Sequence, residues 1–208
     1  GGSAFEISTP YLTAELFDIK FSQSGDVMYI VHPNHEARKL SRTGHTSWTL
    51  TEIDFTDGPY LAENTTATTL TPSGTTGSVN ITASASLFAA TDVGRLVSFS
   101  NGRAKITGFT SATVVAATVQ DDFDNTNSVS NWKLGAFSGT TGHPSTVCFF
   151  EQRLVFAGTT AEPQTLYFSK SGDYENMTTG TNADDAMVYT IASNQVNRIR
   201  YLKSVRTL

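Results

Sequence analysis

One pattern recurs at unequal intervals, and it limits what this chain can fold into more than any other feature. Phe17-Asp18-Ile19-Lys20-Phe21-Ser22-Gln23-Ser24 alternates apolar and polar residues, and a more continuous apolar run comes next at Val27-Met28-Tyr29-Ile30-Val31. Val147-Cys148-Phe149-Phe150-Glu151-Gln152 is succeeded in the same way by Arg153-Leu154-Val155-Phe156-Ala157. Asn197-Arg198-Ile199-Arg200-Tyr201-Leu202-Lys203-Ser204 begins a third copy, which continues into Val205 to Leu208. Alternation with period two puts Ile19 with Phe21, and Ile199 with Tyr201, on one face of a strand. Each copy therefore reads as two antiparallel strands joined by a short polar turn.

The residues after the first two copies also match. His32-Pro33-Asn34-His35-Glu36-Ala37 precedes Arg38-Lys39-Leu40-Ser41, Gly44 and Trp48. Gly158-Thr159-Thr160-Ala161-Glu162-Pro163 precedes Thr165-Leu166-Tyr167-Phe168-Ser169, Gly172 and Tyr174. Both predict hairpins with loops of about six residues. A fourth strand fits at 48–55 and again at 186–191. Four strands per unit, repeated, describe a β-propeller blade. Phe149 and Tyr201 stand 52 positions apart, close to the roughly 50-residue period of the longer propeller repeats. Phe21 and Phe149 stand 128 apart, so about 76 extra residues separate the first two units.

The composition changes where that excess falls. From about residue 62 to 138 the text is rich in Thr, Ser, Gly and Ala and poor in charge. Short strands are predicted at 78–83, 96–100, 105–109, 113–119 and 131–136, separated by turn residues such as Ser73-Gly74, Asn101-Gly102 and Asp124-Asn125. Asn101-Gly102 fits the centre of a tight type I′ hairpin. Five or six short strands predict a small sandwich or barrel whose two ends return to one place. A disordered Thr-rich linker is the competing reading, but Ile106, Phe109, Val114, Val115 and Trp132 supply more apolar surface than a linker needs. A single helical turn is predicted around Ala89 to Gly94, with Asp92 as cap and Gly94 as stop. The fold class is thus all-β: partial propeller-like blades of four-stranded antiparallel sheet, with an inserted small β-sandwich or barrel module. The segments are residues 4–61, 62–142 and 143–208, the first and last packing together and the last cut short.

Composition supports this class and excludes others. Thr, Ser, Asn and Gln make up about a third of the chain, and charged residues only 16%. Thr loses rotamer freedom in helices and suits strands. A net charge of −5 argues against a general nucleic-acid surface, which needs a basic stripe. No apolar run is long enough to span a membrane as a helix, and no secretion signal is evident. Cys148 is the only cysteine, which precludes an internal disulfide, and its apolar neighbours predict a small packed hydrophobe. Gly1-Gly2-Ser3, without an initiator Met, resembles an expression scar, and the text is expected to be a segment of a longer protein. Open strand edges in such a segment predict dimerisation or strand exchange, unless the two blade units fold onto each other.

Candidate chemistry is sparse. His32 and His35, with Glu36 and His45 nearby, have metal-ligand spacing on a helix. In a Pro-containing loop they read as surface polarity. Asp121-Asp122-Phe123-Asp124-Asn125-Thr126-Asn127 resembles the start of a calcium loop but lacks its glycine and distal glutamate, so a solvated turn is expected. Glu151 and Arg153, two apart on a strand, predict an ion pair. Asp184 and Asp185 precede a strand and read as edge protection rather than as a glycosidase pair. Tyr60, Trp48 and Trp132 could stack on sugars if exposed. No nucleophile elbow, Walker loop or dinucleotide glycine pattern occurs. No catalytic, cofactor-binding or metal-ligating residue is predicted, and no enzyme activity.

The run Phe149-Phe150-Glu151-Gln152-Arg153-Leu154-Val155-Phe156-Ala157-Gly158, then Pro163-Gln164-Thr165-Leu166, then Ser171-Gly172-Asp173-Tyr174-Glu175-Asn176, resembles the recurring core of tail nozzle proteins of short-tailed bacteriophages and prophages, also called tail tubular protein B. Asp26 to Pro33, Arg38-Lys39-Leu40, Thr46-Ser47-Trp48 and Ile191 to Asn197 are similar to other parts of the same proteins. Asp92-Val93-Gly94-Arg95-Leu96 and Ile106-Thr107-Gly108-Phe109-Thr110-Ser111 resemble β modules of phage tail proteins. The resemblance covers most of the chain from about Thr9 to Arg206. It implies a non-enzymatic virion protein, assembled in the bacterial host cytoplasm, that forms a ring around the DNA exit path. Its implied partners are its own copies, adaptor proteins and fibre proteins. DNA would pass without sequence-specific binding, and no membrane anchor, cofactor or small-molecule substrate is implied. The alternative expectation is a carbohydrate-binding module for host surface glycans, seated on the inserted β domain.

Overall fold

The computed structural model describes residues 5–204, which are almost entirely β-structure, 45% strand and 4% helix. In chain order the strands are β1 (Lys20–Ser24), β2 (Val27–His32), β3 (His35–Gly44), β4 (Ser47–Glu52), β5 (Leu70–Pro72), β6 (Ser78–Ala83) and β7 (Leu96–Phe99). They continue as β8 (Gly102–Ser111), β9 (Val114–Asp121), β10 (Trp132–Leu134), β11 (Thr146–Phe150), β12 (Arg153–Ala157), β13 (Thr165–Phe168) and β14 (Met187–Thr190). The chain divides into two compact units, Gly1–Asp57 with Thr141–Leu208, and Gly58–Thr140.

The first unit holds two four-stranded antiparallel meanders of the same connectivity, β1-β2-β3-β4 and β11-β12-β13-β14. Phe21 pairs with Ile30, and Phe149 pairs with Leu154, so the two residues occupy corresponding first strands. β12 is buried along its whole length, which explains its unbroken apolar text. The meanders are fastened to each other by aromatic and ionic contacts. Tyr29 meets Phe149 edge-on at 5.9 Å, and Phe149 meets Tyr174 at 4.9 Å. Lys39 Nζ reaches Glu175 at 2.7 Å, and Tyr29 donates its hydroxyl proton to the same carboxylate at 3.2 Å. The strap after β4 joins in: Thr56 N–H donates to Glu175 O, Met177 N–H to Asp57 O, and Phe55 packs on Phe156.

The second unit is one curled, half-barrel antiparallel sheet in the order β10-β7-β8-β9-β6-β5, not a two-sheet sandwich. Curling brings its two edge regions into contact, because Leu70 and Val129 exchange both backbone hydrogen bonds at 2.8 and 3.0 Å. A sheet that curls this far covers its own inner face, so no second sheet is required. β6 alternates exposed and buried along its length, and Val79, Ile81 and Ala83 join Leu70, Val97, Phe99, Ile106, Val115 and Phe123 in one core. The entry and exit segments run antiparallel: Leu61 N–H donates to Leu134 O, Asn64 N–H to Trp132 O, and Ala136 N–H to Pro59 O.

Several expectations are corrected in detail. The loop between β2 and β3 is a two-residue turn, Pro33-Asn34, rather than six residues, and His32 pairs directly with His35. The β7–β8 turn is centred on Ser100 and Asn101, with φ of 49° and 56°, one residue earlier than expected. Gly102 already lies in β8, where an added Cβ would meet Asp121 O and Asp122 O at 2.6 Å. The helical turn is three residues of 3-10 helix, Ala90–Asp92. The third copy forms no ladder among the described residues. Ile199 N–H bonds Pro163 O, and Leu202 N–H bonds Thr146 Oγ1, so residues 197–204 are held by single hydrogen bonds rather than by a strand ladder. Its expected second strand, 205–208, lies outside the described residues.

Candidate functional site

The β2–β3 turn gathers a cluster of titratable side chains in the first unit. With only two residues between the strands, His32 and His35 become cross-strand neighbours on one face, their ring centroids 5.0 Å apart. The 3-10 turn Thr13–Asp18 places Glu15 against them. Its Oε2 lies 2.8 Å from His35 Nε2 and also accepts Leu12 N–H at 2.9 Å. These donors, the backbone amide first, hold the Glu15 carboxyl down at about 2. Tyr11 closes the other side, its ring 5.3 Å from His35 and 6.0 Å from His32. His143 enters from the distant half of the chain, its N–H donating to Pro33 O at 3.3 Å. Three of the four histidines thus converge.

His32 is not the solvated loop residue expected from the sequence; only 1% of it is exposed. Its Nδ1 accepts Asn34 N–H at 3.1 Å, and its Nε2 is buried without a protein partner. The Tyr11 hydroxyl is likewise buried and unpartnered. Burial lowers the pKa of His32, and it lowers that of His143 to about 4, with the charge of His35 adding to the effect. Glu15, His32 and His35 each bring one ligand atom to within 4.8 Å of the others. Glu36 and His45 are not in that set. His45 instead accepts Trp48 Nε1–H on its carbonyl, and Arg42 stacks over the Trp48 ring.

The other sequence candidates disperse. Asp121 pairs with Arg103 at 3.0 Å and Asp124 with Asn101 at 2.6 Å, while Phe123 stacks on Phe99 inside the core; the acidic stretch leads out of the end of β9. Glu151 and Arg153 do not form the expected pair. Glu151 and Gln152 are the left-handed centre of a tight turn, with φ of 46° and 60°, and Arg153 is buried, donating to the carbonyls of Ser169, Ala183 and Asp185. Asp185 is held by Asn182 N–H and by Lys170 at 3.1 Å, an arrangement that keeps it ionised and anchors the β14 approach. Trp132 is 8% exposed, its Nε1–H bonded to Thr68 O. Cys148 is half-buried, and burial pushes its thiol up.

Sequence reasoning missed Glu15 and Tyr11 because neither sits in a periodic segment. It also missed the buried pair Asp92–Arg95, 2.9 Å apart in the second unit, although the i, i+3 spacing was visible. No protein-family model and no curated protein sequence matches the chain. No helix among the described residues is long and apolar enough to cross a membrane.

Proposed function

We propose that this chain is a non-enzymatic scaffold segment of a bacteriophage tail, of the nozzle or tail tubular B type, with propeller-like blades in its first unit. One observation carries the reading. Two meanders of identical connectivity, 128 residues apart at Phe21 and Phe149, pack on each other while the intervening residues fold as a unit of their own. Repeated sheet units that bury their faces against neighbours suit a load-bearing platform. The resemblance carried by Phe149 to Asn176 supplies the particular assignment.

Exposed strand edges support self-association. Met187, Val188 and Tyr189 of edge strand β14 are 47, 46 and 62% exposed, and Phe21 of edge strand β1 is 62% exposed. Apolar edges of this kind seek a partner strand. The partners proposed are further copies in a ring around the DNA exit path, with adaptor and fibre proteins docked outside; the location is the virion. The glycan-binding alternative needs exposed rings on the second unit, and Trp132 is committed to its core.

The test is mass spectrometry of phage particles purified from the strain that carries the gene. The proposal expects peptides of this chain in intact particles at several copies per particle. Their absence from particles that are otherwise complete would overturn it.

A further inference from the structure

We propose that Glu15, His32 and His35 form a binding site for a borderline divalent transition-metal ion of the zinc class. The donor set is two imidazoles and one carboxylate, which such ions favour over magnesium or calcium. Its three ligand atoms already lie within 4.8 Å of one another. Ligands on tetrahedral zinc, at about 2.0–2.2 Å from the ion, sit about 3.3–3.5 Å apart. Side-chain adjustments of about an ångström therefore close the set, with no rearrangement of β2 or β3.

A second observation points to a ligand. His32 is almost fully covered, yet its Nε2 has no partner, and the Tyr11 hydroxyl beside it has none either. Buried polar atoms are normally paired, and two orphans on rings that adjoin one cluster mark a place where a group is missing. A buried water could satisfy them, which makes a dry or merely hydrated cluster the competing outcome. Three protein ligands leave the fourth position of a tetrahedral ion for solvent.

Binding has two visible costs. The hydrogen bond between His35 Nε2 and Glu15 Oε2 must be given up, with the neutral imidazole's proton on Nδ1, and binding weakens in acid because protons compete for the same ligand atoms. His32 can use Nε2 as a neutral ligand only with its remaining proton on Nδ1, where Asn34 N–H now donates. The Asn34 hydrogen bond is therefore given up, a change confined to the turn.

The experiment is titration of the full chain, previously stripped with chelator, by Zn2+ in a calorimeter and by Co2+ in the visible spectrum. The expected result is one ion per chain, an affinity that falls at lower pH, and a Co2+ spectrum of tetrahedral or five-coordinate type. Glu15→Gln and His35→Ala each weaken binding at least tenfold, while His45→Ala, at the remaining histidine outside the cluster, leaves it unchanged. Circular dichroism of each variant checks the fold. Zn2+ also shifts the Asn34 amide resonance in the unmodified chain, a readout that needs no variant. Absence of saturable binding, binding indifferent to Glu15→Gln and His35→Ala, or binding lost in His45→Ala overturns the proposal.

Discussion

Tyr29 and Phe149, one from each meander, meet edge to face at 5.9 Å and 72°. Their contact joins two stretches of text separated by 120 positions, and Tyr29 adds a hydrogen bond to Glu175 at 3.2 Å. Tyr29 is 5% exposed, so its ring carries most of the energy. Tyr29→Ala should cost about 3–5 kcal/mol by cavity formation, whereas Tyr29→Phe should cost about 1 kcal/mol for the lost hydrogen bond. Urea unfolding of the two variants checks this; equal losses would show that the hydroxyl, not the ring, holds the meanders together.

Asp92→Asn and Arg95→Met should each destabilise the second unit by about 3–5 kcal/mol, because each leaves its partner buried and charged. Asp92 is 1% exposed and Arg95 4%, and Arg95 also donates to Gly135 O at 2.7 Å. Salt should barely alter the effect, since the pair is shielded from solvent ions. Denaturant melts followed by Trp132 fluorescence measure it.

Gly102→Ala should destabilise by about 1–3 kcal/mol as an overpacking substitution. Its Cβ would meet two backbone carbonyls, at Asp121 and Asp122, and backbone cannot swing aside as a long side chain can. Thermal melts provide the check, and a neutral result would mean that the β8–β9 bulge is looser than its geometry indicates.

Acid should weaken the fold in two steps. His143 has its pKa lowered from 6.5 to about 4, chiefly by burial. The unfolded chain therefore binds the extra proton first, and stability present above about pH 6.5 declines as pH falls towards 4. At about 1.4 kcal/mol per unit this single group contributes at most about 3 kcal/mol. His32 shifts in the same direction. Glu15, depressed to about 2 from 4.5, extends the decline below that window as its carboxylate protonates. His143→Gln should shrink the upper step to the His32 contribution and leave the lower one. Urea midpoints measured between pH 7 and pH 3 test the sign; a stability that rises on acidification would contradict it.

Much of the sheet structure was legible because alternation reports burial directly. Val79, Ile81 and Ala83 alternate with Ser78, Asn80 and Thr82, and β6 spans those same residues. β12 read as an unbroken apolar run because both its faces are covered. The curl of the second unit was not legible, since closure rests on tertiary contacts such as Leu70 with Val129 and Trp132 with Thr68, whose text carries no signal beyond ordinary strand residues. The cluster was hidden for a different reason. Pro33 suggested a long loop, and in a long loop His32 and His35 have no defined relation; the two-residue turn makes them partners. Glu15 and Tyr11 reach that turn through tertiary packing alone.

Native-state hydrogen exchange of the full chain in rising denaturant decides whether the two meanders are one folding unit, interrupted in the text by another. Amides of β1 to β4 and of β11 to β14 should converge on a single opening isotherm, with β6 to β9 on a second. Convergence of β1 to β4 with β6 to β9, or separate openings for the two meanders, would refute that organisation.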